Sequence, residues 1–495
     1  MDQQPQRVQW GARRAGLRRP VEGGIQLASA NLGADSPVGD SRWWAIRNPR
    51  CGAAILAAWM TVFGWTLCAA TVYVAPGSLN PTPPYRSWAT AAGTIQEAVD
   101  AAMAGDEVLV TNGVYATGGL AVYGRANRVA LTKRLRVASV NGPQATVIVG
   151  STGAEAVRCA YLTNGAWLEG FTLAKGAARG IVVDTLGCGG GVWCESTNAV
   201  VANCILRDNS ADTFAYGGGA YGGTLVNCTL TGNRAYYGGG AAGSFGGGSW
   251  GGAAGSDCVL QGCTLSNNVA TAEGGGVAAV DPVQVLIGLR PHSVAPHGNV
   301  TSRPFCILNH CIVVGNSASM GGGAAAMDGP CILNNCALIR NSASSRAGGT
   351  LGRPVFNAPC ILNHCTLTGN ATGGVGGGAA RSTLNNCLVY YNVSARGEAN
   401  WFDCLMNYCC TTPLPSEGAG NINLDPQLAG TFRLSGSSPC RGAGSAAYPT
   451  GTDMDGEAWA EPPSVGCDEY HPGAVTGPLA VSIFAAHTNV AVAYP

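Results

Sequence analysis

Through the middle of the chain, apolar residues alternate with polar ones at a period of two. In CILNNCALIRN, Cys331 and Leu333 stand two apart, and so do Cys336 and Leu338. This is the pattern of short strands with one side on a core. Between the two strands, Asn334 and Asn335 make a bend, and Asn341 falls at the following bend. The whole unit recurs. Cys204, Cys228, Cys263, Cys311, Cys336, Cys365 and Cys387 each have an Asn five residues later: Asn209, Asn233, Asn268, Asn316, Asn341, Asn370 and Asn392. Cys258, Cys306, Cys331 and Cys360 stand five residues before four of these anchors, and Cys404 and Cys409 repeat the cysteine pair without the Asn. Glycine clusters follow, as at Gly217 to Gly219, Gly274 to Gly276 and Gly321 to Gly323, thinning to Gly348 and Gly349 in one unit.

From Cys204 to Cys409 the anchor spacings are 24, 35, 48, 25, 29, 22 and 22 residues. Such periods mean a solenoid or a propeller, and 22 residues are too few for a propeller blade. Repeated glycine triplets would break helical repeats. One turn of a β-helix fits, with three short strands and three turns per coil. Stacking coils at ~4.8 Å sets each cysteine over its counterpart, giving an interior thiol ladder and an Asn ladder at the bend. The fold class expected is therefore all-β, a single-stranded right-handed parallel β-helix. The repeats run from about 160 to 410 within a domain over 71–472.

A short strand is expected from Thr71 to Ala75, then a Pro-rich loop. In TIQEAVDAAMAGDEVLV, Thr94 and Glu97 have capping-box spacing, Ile95, Ala98, Val99 and Ala102 share one helical face, and Gly105 supplies a stop. This is a short helix able to cover the first coil, so 71–110 reads as the N-terminal cap. Residues 411–472 read as the C-terminal cap. Upstream, Cys51 to Ala70 is an apolar run preceded by Arg42, Arg47 and Arg50 and ending in small residues. It has the form of a secretory signal, with a retained membrane anchor as the alternative. Residues 1–50 form a polar, Arg-rich leader, and 473–495 read as the start of a further β domain.

Composition adds an exclusion. Acidic and basic residues balance at 28 each, and only 11% of the chain is charged. No electrostatic footprint for nucleic acid is present. The 21 cysteines do not take zinc-site spacing, since the pairs are C-x4-C and Cys409 adjoins Cys410. Buried thiols are the expectation, with disulfides between neighbouring coils as the alternative.

The opening TIQEAVDAAMAGDEVLVTNGVY resembles the N-terminal cap of pectate-lyase-like β-helix proteins. The N-x-A-x(n)-G-G-G units are similar to polymorphic outer-membrane protein repeats. The tail, LDPQLAGTFRLSGSSPC followed by DMDG and VGCDEY, resembles the closing region of bacterial secreted β-helix proteins. The resemblance spans Thr71 to about Pro472 and speaks to fold rather than activity. Lyases of this fold class would combine acidic calcium ligands with an Arg or Lys base, and hydrolases would use clustered aspartates. The acids here are scattered: Glu195, Asp208, Asp212, Asp257, Glu273, Asp281, Asp328 and Glu398. Asp208 beside Arg207 has no acidic counterpart in the next coil. Asp453 and Asp455 could open a calcium loop but lack its remaining ligands. The insertion from Val277 to Pro304, with Arg290, His292, His297 and Arg303, is a candidate binding loop. The expectation is a monomeric, non-catalytic, secreted or cell-surface rod of a bacterium, adhesin-like, binding glycans or a surface ligand. No cofactor, metal or catalytic residue is assigned. A membrane would be met only through the N-terminal segment or a missing C-terminal anchor. The alternative function is a polysaccharide lyase or glycosidase acting on an acidic glycan.

Overall fold

The computed structural model describes residues 69–472, except 154, 180–186, 213, 245–256, 281–305, 328 and 354–357. The leader, nearly all of the apolar segment, the residues beyond 472 and most of the insertion after Val280 lie outside the described residues. Among the described residues no helix is long and apolar enough to cross a membrane.

The chain winds as a right-handed parallel β-helix. Four long sheets run along it, of 12, 11, 8 and 11 strands. One coil shows the plan. Sheet one takes Cys331–Asn334, sheet two Ala337–Ile339, sheet three Ser342–Arg346 and sheet four Thr350–Leu351. The chain then re-enters sheet one at Cys360–Asn363, in register over the coil below, Cys331 on Cys360 and Leu333 on Leu362. Twelve strands at ~4.8 Å spacing make a rod about 50 Å long. Alternation in sheets one and two puts Cys331, Leu333, Cys336 and Leu338 in one continuous core, each with no exposed surface.

The three-sided coil expected from the sequence has a fourth side. The residues between the ladder Asn and the glycines pair from coil to coil as sheet three. Its strands vary from two residues to five, and the register slips at Ala235/Tyr237, Val269/Glu273 and Ala318/Met320. A two-residue period cannot show in so short and irregular a segment.

Single left-handed residues turn the corners. Between sheets one and two they include Asn227, His310, Asn335, His364 and Tyr408, with φ between 48° and 53°. Between sheets two and three they include Asp208, Asn267 and Arg340. The bends thus lie at Asn335 and Arg340, while Asn334 completes a strand and Asn341 follows its corner. Asn and Asp tolerate this region readily.

The ends are closed separately. Helix α1 (Ile95–Ala101) has the full Thr94/Glu97 capping box. It ends three residues short of the expected stop, and Gly105 instead turns the following loop at φ 95°. Ile95, Ala98 and Val99 are buried against the first coil. In sheet four the edge strand Leu120–Val122 covers only the start of Arg125–Leu131, and Gln96 seals the part left open, accepting from Ala130 N (2.7 Å) and donating to Ala130 O (3.4 Å). At the other end, Ile422 pairs with Cys409 and Thr411 to close the last coil. The chain then returns from 426 to 472 as a strap along the outer face of sheet two. It is held by Thr368 Oγ1 to Thr431 O (2.7 Å), Asn335 Nδ2 to Thr452 O (2.7 Å) and Cys467 N to Thr366 Oγ1 (3.0 Å). The 411–472 segment is therefore an end closure followed by a side strap.

Candidate functional site

The seven ladder asparagines stand in one buried column. Asn341 shows the bonding. Its Nδ2 donates to Val313 O (2.8 Å) and to Asn370 Oδ1 (3.0 Å), and its Oδ1 accepts from Asn316 N and Asn316 Nδ2 (3.0 Å each). The same four bonds link Asn233, Asn268, Asn316 and Asn370 to their neighbours. Asn209 opens the column by accepting from Gly176 N (2.8 Å). Asn400 ends it, accepting from Asn392 and donating to Thr412 O (2.8 Å). Every bonding position of each inner carboxamide is used, which is what burial demands.

The glycines face this column. A Cβ at the third glycine of each triplet would meet the ladder side chain, 3.0 Å from Asn233 Nδ2 at Gly219 and 3.2 Å from Asn341 Nδ2 at Gly323. At the second glycine it would strike backbone of the next coil, 2.2 Å from Ser342 O at Gly322. The Asn and Gly signatures are two sides of one pinch at the base of sheet three. The first glycine takes φ near 62°, and at Gly321 a Cβ would press on Ala324 O at 2.7 Å; Ala347 nevertheless fills the equivalent place at φ 58°, so one unit shows two glycines.

Cys204, Cys228, Cys263, Cys311, Cys336, Cys365 and Cys387 form the second column. Each thiol donates back to a sheet-one carbonyl of the preceding coil, as Cys228 to Val201 O (3.3 Å) and Cys336 to Leu308 O (3.4 Å). Burial pushes the thiols of Cys228, Cys311, Cys365 and Cys409 well above their ordinary value. At Cys263, Cys336 and Cys387 burial also raises the value, and hydrogen bonds from the thiols on either side oppose it. The core encloses every thiol of the column. Both predicted ladders are thus enclosed, and a ligand must meet other residues.

Three outward features remain. On sheet one, Val259, Ile307, Ile332 and Ile361 form a half-buried aliphatic row in register. Beside it runs a second Asn ladder: Asn334 Nδ2 to Asn309 Oδ1 (2.9 Å), Asn363 to Asn334 (2.9 Å), Asn385 to Asn363 (3.0 Å) and Asn407 to Asn385 (3.2 Å). The sequence reading gave Asn334 to a bend and missed this row. The repeated spelling CILN was its signal.

On sheet four, Tyr161, Trp193 and Tyr221 stack at 5.5 and 5.9 Å, with Tyr123 edge-on. Glu195 sits at their rim and accepts from Tyr161 OH, Thr163 Oγ1 (2.6 Å) and Asn164 N (3.0 Å). Partial burial works to raise its pKa, but these bonds outweigh it and hold the carboxyl below its ordinary value. The stack is almost wholly buried and so belongs to packing.

Near the last coils, a cleft of about 440 Å³ is lined by Trp401, Arg381, Asp403, Thr383 and Glu417. Arg381 Nε lies 3.4 Å from Asp403 Oδ2.

Among the described residues, Asp208, Asp453 and Asp455 already have partners. Asp208 pairs with its neighbour Arg207 on the surface (3.1 Å). Asp453 accepts from the backbone of Asp455, Glu457 and Glu469, and Asp455 pairs with Arg433. DMDG is an acid-stapled turn whose carboxylates already have partners. The basic residues of the 281–305 insertion lie outside the described residues.

No protein-family model matches the chain. No curated protein matches it in sequence. Among solved structures the chain is similar to the crystal structure of pectate lyase Pel9A, at 12% identity and a TM-score of 0.49, over 82% of this chain and 98% of that one.

Proposed function

We propose that the protein is an exported, non-catalytic β-helix rod that binds an extended neutral glycan along the outer face of sheet one. The observation that carries this is the paired row of Ile307, Ile332 and Ile361 beside Asn309, Asn334, Asn363 and Asn385. The row repeats at the strand spacing of ~4.8 Å, close to the length of one sugar residue in an extended chain. Within the row each inner carboxamide gives one donor and one acceptor to its neighbours and keeps one of each for a ligand. The aliphatic stripe offers a flat apolar surface for the faces of sugar rings. The Cys/Asn/Gly units, similar to polymorphic outer-membrane protein repeats, and the signal-like segment before the rod support display outside the cell.

A glycan array with the full chain tests this reading. Binding should fall at least tenfold in Asn334→Asp/Asn363→Asp, which keeps the shape of the row and adds charge. Binding that survives this change would refute the site. The cleft with Asp403, Glu417 and Arg381 favours a second reading, cleavage of an acidic glycan. Turnover of pectin or alginate that disappears in Asp403→Asn or Glu417→Gln would replace the first reading with the second.

A further inference from the structure

The last coil carries two adjacent cysteines of opposite fate. Cys409 points into the core and continues the thiol column. Cys410 is the next residue on the same strand, so it faces outward, in the row of Thr366 and Leu388 beneath the returning strap. The strap brings Cys440 to that place. Leu388, Cys410, Leu434, Cys440 and Val465 form one buried cluster. Val465 N donates to Cys440 O (2.9 Å), Cys440 N donates to Ser438 Oγ (3.2 Å) and Cys410 Sγ donates to Leu424 O (3.3 Å). Both cysteines are fully buried in this one cluster, which joins the strap to the last coil.

We propose that Cys410 and Cys440 are a redox-sensitive disulfide pair that staples the C-terminal strap to the last coil. Geometry separates this pair from the ladder cysteines. In an in-register parallel column, side chains leave their strands in the same direction, so their Cβ atoms stay ~4.8 Å apart like the strands. A disulfide needs its Cβ atoms about 3.5–4.5 Å apart. The column therefore holds thiols, although neighbouring Cα atoms are close enough for a bridge. Cys410 and Cys440 come from two segments that meet across a packing interface, and strand spacing does not limit their approach.

The chemistry is disulfide exchange with a small oxidised thiol such as oxidised glutathione. The neighbouring Cys410 side chain outweighs burial and holds the Cys440 thiol below its ordinary value, which makes it the attacking sulfur. Cys440 gives up its proton to solvent and attacks one glutathione sulfur. This forms a mixed disulfide and releases one glutathione thiolate. Cys410, deprotonated in turn, attacks the Cys440 sulfur and expels the second. Two protein thiols and one oxidised glutathione become one protein disulfide and two reduced glutathiones. Both thiols are covered when the strap is seated, so exchange takes place during folding or while the strap is lifted.

The test is to refold the full chain in a glutathione redox buffer, alkylate it under denaturing conditions and map the unreduced digest by mass spectrometry. The expected result is one cross-linked peptide pair, Cys410 to Cys440, with Cys204, Cys228, Cys263, Cys311, Cys336, Cys365 and Cys387 alkylated. Proteolysis of the 426–472 strap should be at least tenfold slower in the oxidised protein than in the same protein after reduction. Cys440→Ser should give the faster rate under both conditions. The reduced wild-type protein supplies the comparison if that variant folds poorly. Full alkylation of Cys410 and Cys440 after oxidation, or links within the column instead, would overturn the pairing. A link that leaves strap proteolysis unchanged would overturn the staple.

Discussion

Replacing Asn341 by Ala tests the inner ladder where it is fully enclosed. The side chain has no exposed surface. Its removal strips Val313 O of a donor, and strips both the backbone N–H and one Nδ2 proton of Asn316 of their acceptor. Asn370 Oδ1 keeps the backbone N–H of residue 341 at 2.9 Å. Three buried polar groups are orphaned, at about 1–3 kcal/mol each. Their sum is about 3–9 kcal/mol, and relaxation of neighbouring carboxamides places the cost near the lower end, about 3–4 kcal/mol. Asn334→Ala removes a carboxamide of the outer ladder, bonded to Asn309 and Asn363 at 2.9 Å but half-open to water. Water replaces those bonds, so about 0.5–1 kcal/mol is expected. In a solenoid a defect acts on its nearest coils. Native-state hydrogen exchange at the amides of Ser317, Ser342 and Ala371, each bonded to a ladder backbone carbonyl, reads the loss beside guanidinium denaturation. If the two variants differ by less than about 1 kcal/mol, the inner ladder is not held by satisfied burial and the reasoning fails.

Gly322→Ala should cost at least about 3 kcal/mol, because its Cβ would lie 2.2 Å from Ser342 O and 2.6 Å from Gly348 O; Gly321→Ala should cost about 1 kcal/mol, as Ala347 already occupies that place, and thermal melts rank the two. Arg353→Ala should destabilise by about 3–5 kcal/mol, because it strips buried Glu273 of its guanidinium partner; Arg353→Met/Glu273→Leu should recover most of that loss in the same denaturation assay. Asp468 faces Arg433, Asp453 and Asp455, and burial raises its pKa to about 7 against the pull of Arg433. The unfolded carboxyl ionises near pH 4 while the folded one keeps its proton to about 7, so strap stability is full below that window and is lost as pH rises through it. Proteolysis of the strap should quicken from pH 5 to 8 in the wild type, and a slope unchanged in Asp468→Asn would reject this assignment.

The sequence made the coil legible because its two internal columns use residues of fixed spacing. Cys336 and Asn341 repeat wherever a strand leaves a corner, and each places the next. The capping box at Thr94 was legible for the same reason, since a cap is local chemistry. Sheet three was not, because strands as short as Ala177–Ala178 carry no period. Tyr408 hides a corner because an aromatic residue does not announce a left-handed backbone. The strap was invisible for another cause. Asn335, Thr366 and Asn386 meet residues 59 to 117 positions away, and such contacts leave no mark in a local window. The outer Asn row lay in plain spelling, yet Asn also suits turns, and that competing chemistry claimed Asn334 first.

The inner Asn column has a direction. Each carboxamide turns its oxygen toward the preceding coil and one of its protons toward the next. A coil is therefore a monomer with a head and a tail, and any coil bearing the same Asn can follow any other. The two terminators stand outside this grammar. Gly176 supplies a donor without needing a predecessor, and Asn400 spends its last proton on Thr412. Whole coils can be gained or lost between them with every amide still matched, so the length of the rod is an integer that duplication can change without rebuilding either end.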